Sequence, residues 1–166
     1  MSTVVSQGRH GTRPALSTEL VWRKLAKASF AVLSHVTPTG QPRSSGVVYT
    51  VLDGRMYVVV ASDSWKAQHI ATNGRVAVTV PVRRGGIMAL LAPIPPATIS
   101  FHASAVVHDA GSALPARLAA LIPAQRLTSG RLIEIVPEGE FVTYGLDVSL
   151  LGMRDPARAR GRVAVA

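Results

Sequence analysis

Short apolar runs rich in β-branched residues recur at FAVLSHV (30–36), PRSSGVVYTVL (42–52), RMYVVVA (55–61) and RVAVTVPV (75–82), with polar turn residues between them. That pattern is the mark of strands. Asp53-Gly54 joins two of these runs, and both residue types tolerate positive φ, so a tight hairpin is expected there. Pro38-Thr39-Gly40 makes a second close connection by the same turn chemistry. Between the third and fourth runs, SDSWKAQHIATNG breaks the pattern. It reads as a short helix over 64–73, closed by Asn73-Gly74. The order predicts an antiparallel meander that curls into a barrel against that helix.

The flanking segments extend this plan. Ser17-Thr18-Glu19 caps a helix to about Ala28, with Leu20, Trp22, Leu25 and Ala28 on its inner side. ATISFHASAVVH (97–108) is a fifth strand. Residues 112–122 carry Leu114, Leu118, Leu121 and Ile122 at helical spacing, and 131–136 and 141–144 are strand-like. RRGGIMALLAPIPP (83–96) is apolar but too broken by glycine and proline for a regular element, and reads as a packed loop. No repeat or linker divides the chain. The expected organisation is a flexible arm over 1–16, one barrel domain over 17–145 and an apolar, arginine-bearing tail over 146–166.

Composition narrows the partners. The 166 residues are 48% hydrophobic, enough for a single domain with a real core. A net charge of +9 favours an anionic partner. Aromatics make up only 5% and do not interleave with basic runs, so nucleic acid is not expected. With no cysteine, disulfides, thiolate metal sites and cysteine nucleophiles are excluded. Neither an apolar signal core nor an apolar run of roughly 18 residues is present, so no membrane association and a cytoplasmic location are expected. Walker, Rossmann and Gly-x-Ser-x-Gly patterns are missing too.

The start of the 64–73 helix gathers Ser62, Ser64 and Lys66, the residue types of a phosphate site at a helix N-terminus. The two serines suit N-capping equally well. His69, three residues after Lys66, shares its side of the helix and could help hold an anion. His35 and His102 lie in strand patterns, His10 lies in the arm, and His108 ends the fifth strand. No histidine–carboxylate spacing suits a metal, so none is expected.

Gly40-Gln41-Pro42-Arg43, the VVYTVLDGRMYVVVAS hairpin and Ser64-Trp65-Lys66 followed by Asn73-Gly74-Arg75-Val76 resemble the split-barrel flavin-binding family of pyridoxamine 5′-phosphate oxidase. The resemblance covers about 20–82, and 98–144 more loosely. It implies a mainly β fold: a six-stranded antiparallel split barrel with short flanking helices. It also implies that Arg43 and Lys66 grip the phosphate of FMN. The strand backbone at Val47, Val48 and Tyr49 would face the flavin ring, and Val60, Ala61 and Ser62 would line the ribityl chain and phosphate. Ser64 and Trp65 complete the expected cofactor shell, where Trp65 either stacks on the cofactor or packs under the barrel. Val48 and Trp65 stand where the biosynthetic oxidase has lysine and arginine, and Gly74 where proline is usual. A vitamin B6 oxidase activity is therefore not expected.

The expected protein is a homodimer that builds its FMN sites from both chains and performs flavin-dependent redox chemistry on an unidentified small molecule. No catalytic side chain is named, because hydride chemistry would belong to the flavin. The alternatives are a deazaflavin, whose longer anionic tail suits the basic surface, and a non-enzymatic flavin or haem carrier. His35, His69 and His102 would be the haem-ligand candidates.

Overall fold

Asp53 and Gly54 both adopt positive φ (48° and 71°), and the two-residue turn they form sets the register of the strands on either side. The computed structural model describes residues 16–84, 94–109, 112 and 116–166. In chain order the elements are α1 (Thr18–Lys27), β1 (Phe30–Val36), β2 (Pro42–Val48), β3 (Thr50–Leu52), β4 (Arg55–Ala61) and α2 (Trp65–Asn73). They continue with β5 (Arg75–Val82), β6 (Ala97–His108), α3 (Ala116–Ala119), α4 (Ala124–Ser129), β7 (Gly130–Tyr144), α5 (Pro156–Ala159) and β8 (Arg160–Ala164). The strands join in the order β2-β1-β5-β6-β7-β4-β3, all neighbours antiparallel, with β8 on the far part of β7. This is the expected mainly β split barrel, with eight strands instead of six.

The extra strands have local causes. The run 42–52 divides at Tyr49. Before it, β2 pairs with β1; after it, β3 turns to pair with β4. Tyr49 points inward, is 5% exposed, and donates its hydroxyl to the Leu25 carbonyl at 2.8 Å. It thereby ties the strand break to the end of α1, and burial pushes its phenol above the ordinary range. The second addition is β8, which pairs with residues 140–144 of β7. Its Ala164 carbonyl accepts from the Thr18 hydroxyl at 2.7 Å, so the end of the chain meets α1. Segments 131–136 and 141–144 are one strand, because Gly139 at φ 69° accommodates the bend between them.

Helix limits follow capping chemistry. The Ser17 hydroxyl accepts from Leu20 N at 3.2 Å and starts α1. Gly74 ends α2 in the left-handed region at φ 66°, with its N–H on the Ile70 carbonyl. Of the helix expected over 112–122, the described residues are 112 and 116–122, and the helical ones are the single turn α3. Pro123, which cannot continue a helix, separates it from α4. Leu118 and Ile122 are buried as expected, while Leu121 is exposed. Leu114 and most of the expected 83–96 loop lie outside the described residues.

Leu33, Met56, Val58, Val78, Val80, Ile99, Ile133 and Ile135 fill the barrel, and α1 adds Val21 and Leu25. Trp22, Phe141 and Phe101 form a chain of edge-to-face rings 5.3 Å apart that closes one end. A smaller cluster of Leu52, Tyr57, Leu118, Ile122 and Leu132 lies under α3. Among the described residues no helix is long and apolar enough to cross a membrane.

Two tests follow from this architecture. Tyr49→Phe leaves the Leu25 carbonyl without its buried donor and should lower unfolding stability by about 1–3 kcal/mol. A denaturant midpoint equal to that of the wild type would show that the tie contributes nothing. On the outer face, Glu134 pairs with Arg55 and with His108 Nε2 at 2.7 Å. Burial opposes its ionisation. The hydrogen bonds and charges of Arg55 and His108 outweigh burial and hold the carboxyl below its ordinary value of 4.5. With the folded value depressed, the stabilisation is complete above 4.5 and is lost as pH falls through the lower folded value. Glu134→Gln should cost on the order of 1 kcal/mol at pH 7 and flatten the acid limb of the stability curve. An unchanged acid limb would contradict the assignment.

Candidate functional site

The barrel is left open between two strands that approach each other without pairing. Among the described residues β2 pairs only with β1, and no strand joins its other edge. β4 pairs with β7 over residues 56–61 but with β3 only over 55–57. Among the described residues, 58–61 therefore have no strand partner on the side that faces β2. A cleft of about 570 Å³ opens there, lined by residues 46–48 of β2, 58–61 of β4, 63–66 at the start of α2, and Arg126 of α4. That volume is within the range of small-ligand and cofactor sites.

Each wall has a different character. The strand walls supply apolar side chains and main-chain polar groups that no neighbouring strand uses. β2 has no side chain at Gly46, where an added Cβ would stand 2.8 Å from the ring of Phe30. The helix wall supplies charge. The α2 axis starts at the cleft with Ser64 as N-cap, and the Ser64 hydroxyl makes no capping bond. The first-turn N–H groups and the helix dipole favour an anion at that end, and Lys66 lies in the same turn. Trp65 stands 76% exposed at the rim, its ring edge-on to His69 at 6.3 Å.

Of the residues expected from sequence, Val47, Val48, Val60, Ala61, Ser64, Trp65 and Lys66 line this cleft together. Tyr49 and Ser62 do not line it: Tyr49 is turned into the core, and Ser62 is an exposed residue of the β4–α2 connection. Arg43 is exposed near the start of β2, in register opposite His35 of β1. It belongs to a cationic group behind Lys66. His35 Nε2 meets His69 Nδ1 at 3.1 Å, and His35 is only 7% exposed. Burial first, then the charges of His69, Lys66 and Arg43, hold the His35 imidazole below its ordinary value. Two buried polar atoms near this group, His35 Nδ1 and Ser45 Oγ, have no hydrogen-bond partner.

Sequence reasoning missed Gly46, Val58, Val59, Asp63 and Arg126 of the lining, and Arg126 is the cation among them. Its helix lies in a stretch without periodicity, and only packing brings it to the cleft. Gly130 makes the approach close enough, since a Cβ there would meet the Val60 carbonyl at 2.6 Å and the Arg126 carbonyl at 2.8 Å. Asp63 sets one negative charge on the same rim. His102 lies on β6 beside Gly139, apart from the His35–His69 pair. Among the described residues no group of three or more metal-ligating side chains occurs.

No protein-family model matches the chain, and no curated protein matches it. Solved structures do. HutZ, the haem storage protein of Vibrio cholerae, is 16% identical with a TM-score of 0.60, over 78% of this chain and 96% of that one. A pyridoxamine 5′-phosphate oxidase-related, FMN-binding protein from Nostoc punctiforme is 13% identical with a TM-score of 0.53, over 84% and 81%. An F420 reductase is 14% identical with a TM-score of 0.51, over 72% and 93%. The ligands these proteins are named for differ, and what they share with this chain is the fold. The chain has the split-barrel fold of the pyridoxamine 5′-phosphate oxidase-like proteins.

Proposed function

We propose that this chain binds FMN in the cleft at the barrel opening and serves as a flavin-dependent oxidoreductase. The observation that carries this reading is the division of the cleft into an apolar wall of strand edges and a cationic helix end. A planar ring with hydrogen-bonding edges suits the first, and a phosphate suits the second. The donor set fits: Lys66 and the first turn of α2 offer charge and N–H groups, with Arg43 behind them, and the Ser64 hydroxyl is free of capping. When bound, a flavin supplies the capacity to accept and return a hydride. The chain's residues bind and orient. Val47, Val60 and Val58 exclude water from one face, and the unpaired edge of residues 58–61 fixes the ring by main-chain hydrogen bonds. Arg126 adds a positive charge on the α4 side. No side chain need act as acid or base.

A deazaflavin is the second reading, favoured by Arg126, which extends the cationic lining beyond Lys66 and would suit a longer anionic tail. Haem is the weaker fit, because His35 and His69 are hydrogen-bonded to each other and the cleft lining holds no histidine. The absorption spectrum of the purified protein after incubation with FMN separates these readings. A perturbed flavin spectrum supports the first, and a Soret band after haem addition with no flavin uptake would overturn it.

Lys66→Ala should weaken FMN binding by roughly ten- to a hundredfold, the worth of one charge-assisted contact of about 1.5–3 kcal/mol, while the far-ultraviolet circular dichroism stays the same. Equal affinity in the folded variant would remove Lys66 from the site. The proposed assembly is a homodimer. Val48 and Trp65 at the cleft rim, and Leu150 and Leu151 in the tail, are exposed apolar residues that a second copy would cover. Light scattering should read twice the 17.5 kDa chain mass, and the value should persist at high salt, since apolar contacts are not screened. A stable monomer at micromolar concentration would rule out a site shared between two chains.

A further inference from the structure

The group formed by His35, His69, Arg43 and Lys66 sets two histidines beside two permanent cations. β1 contributes His35, β2 contributes Arg43, and α2 contributes Lys66 and His69. From β5, the residue in register with His35 is apolar Val76, and next to it on β6 stands Ala103. Every charge acting on His35 is therefore cationic or becomes so on protonation, and no carboxylate is among them.

The histidine pair is also left one partner short. With His35 Nε2 on His69 Nδ1 at 3.1 Å, a single proton lies between the rings, and His35 Nδ1 is buried without a hydrogen-bond partner. If His35 donates in that bond, its Nδ1 is an unused acceptor. If His69 donates, Nδ1 carries an unused N–H. Either state leaves a buried polar atom uncompensated, a cost that native interiors avoid unless something else satisfies it. Ser45 Oγ, on the β2 residue two beyond Arg43, is buried and unpartnered in the same way.

We propose that the His35–His69 pair takes up a proton when an anion binds beside Lys66 at the start of α2, so that ligand uptake at this site is coupled to pH. The proposal rests on the phosphate end of the cleft described above and adds its regulation. Without an anion, a positive charge on the pair is opposed by burial and by the neighbouring cations Lys66 and Arg43. A phosphate or sulfate beside Lys66 offsets these positive charges and so favours the protonated pair. The atoms balance simply: one proton passes from solvent to an imidazole nitrogen, with no redox change. The linkage sign is fixed by the depressed His35 value. Without ligand, the unfolded chain binds more protons than the folded one as pH falls through 6.5, so stability falls with it; a bound anion removes that loss.

Sulfate is the discriminating probe, because it does not titrate near neutrality, whereas the FMN phosphate has its own second ionisation near pH 6. The full-length protein is titrated with sulfate, FMN and riboflavin at pH 8 and pH 6. Sulfate affinity should rise about three- to tenfold at the lower pH, with net proton uptake read from buffers of different ionisation enthalpy. Riboflavin, which has no phosphate, should show no such dependence. His35→Gln should give sulfate the same affinity at both values. If that variant does not fold, imidazole NMR of the wild type decides: the His35 titration should move up by about one unit in saturating sulfate. Sulfate that binds without proton uptake, or fails to bind, overturns the proposal. Sulfate with proton uptake but no FMN binding upholds it and overturns the flavin reading instead.

Discussion

The structure depends on a pairing that is not made. β4 leaves β3 after Tyr57, and β2 reaches its neighbourhood from the other end of the strand order without joining it. A closed barrel would satisfy every edge; this one leaves two lengths of backbone facing across a gap. Such an edge is costly to bury alone and invites another strand, unless a ligand or a partner occupies it. The gap is also where α2 begins, because the chain must leave β4 at Ala61 and re-enter the sheet at Arg75. Edge, helix start and cleft are thus consequences of a single topological choice.

The supports of the gap are spread along the chain. Tyr49 is the pivot: its hydroxyl on Leu25 fixes where β2 ends and β3 begins, and so how much of β4 stays unpaired. Gly130 lets α4 close on the end of β4 and carries Arg126 to the rim. β8 bonds the end of the chain to β7 and α1, and Lys24 with Asp147 at 2.8 Å adds an ion pair between α1 and the segment before it. The cationic group at His35 is held by β1, β2 and α2 together, so charge and cleft are set by the same packing.

Much of this was legible in the sequence, and what was not has physical causes. The Asp53-Gly54 turn, the Gly74 stop of α2 and the limits of β6 follow from local chemistry that neighbouring residues express directly. Val47, Val48, Val60 and Lys66 of the cleft followed from a resemblance in pattern and order. Sequence could not divide 42–52 at Tyr49, because the reason is a hydrogen bond to a residue 24 positions away. It could not join the two halves of β7, because Pro137 and Gly139 read as a break until the β6 register accommodates them. Arg126 was hidden for the same reason: only long-range packing places it. His35 and His69 read singly as a strand residue and a helix residue, and their pairing depends on how α2 lies across β1.

The most direct test of the account is backbone hydrogen exchange with and without FMN. If the barrel opening is the site, residues 46–48, 58–61 and 64–66 gain protection on FMN addition, since these are the free edges and the helix start that a ligand would satisfy. β6 and the paired stretch of β7 should exchange as before. Protection confined to other strands, or none along the unpaired edge of β4, would contradict the claim that the missing pairing is what the protein uses.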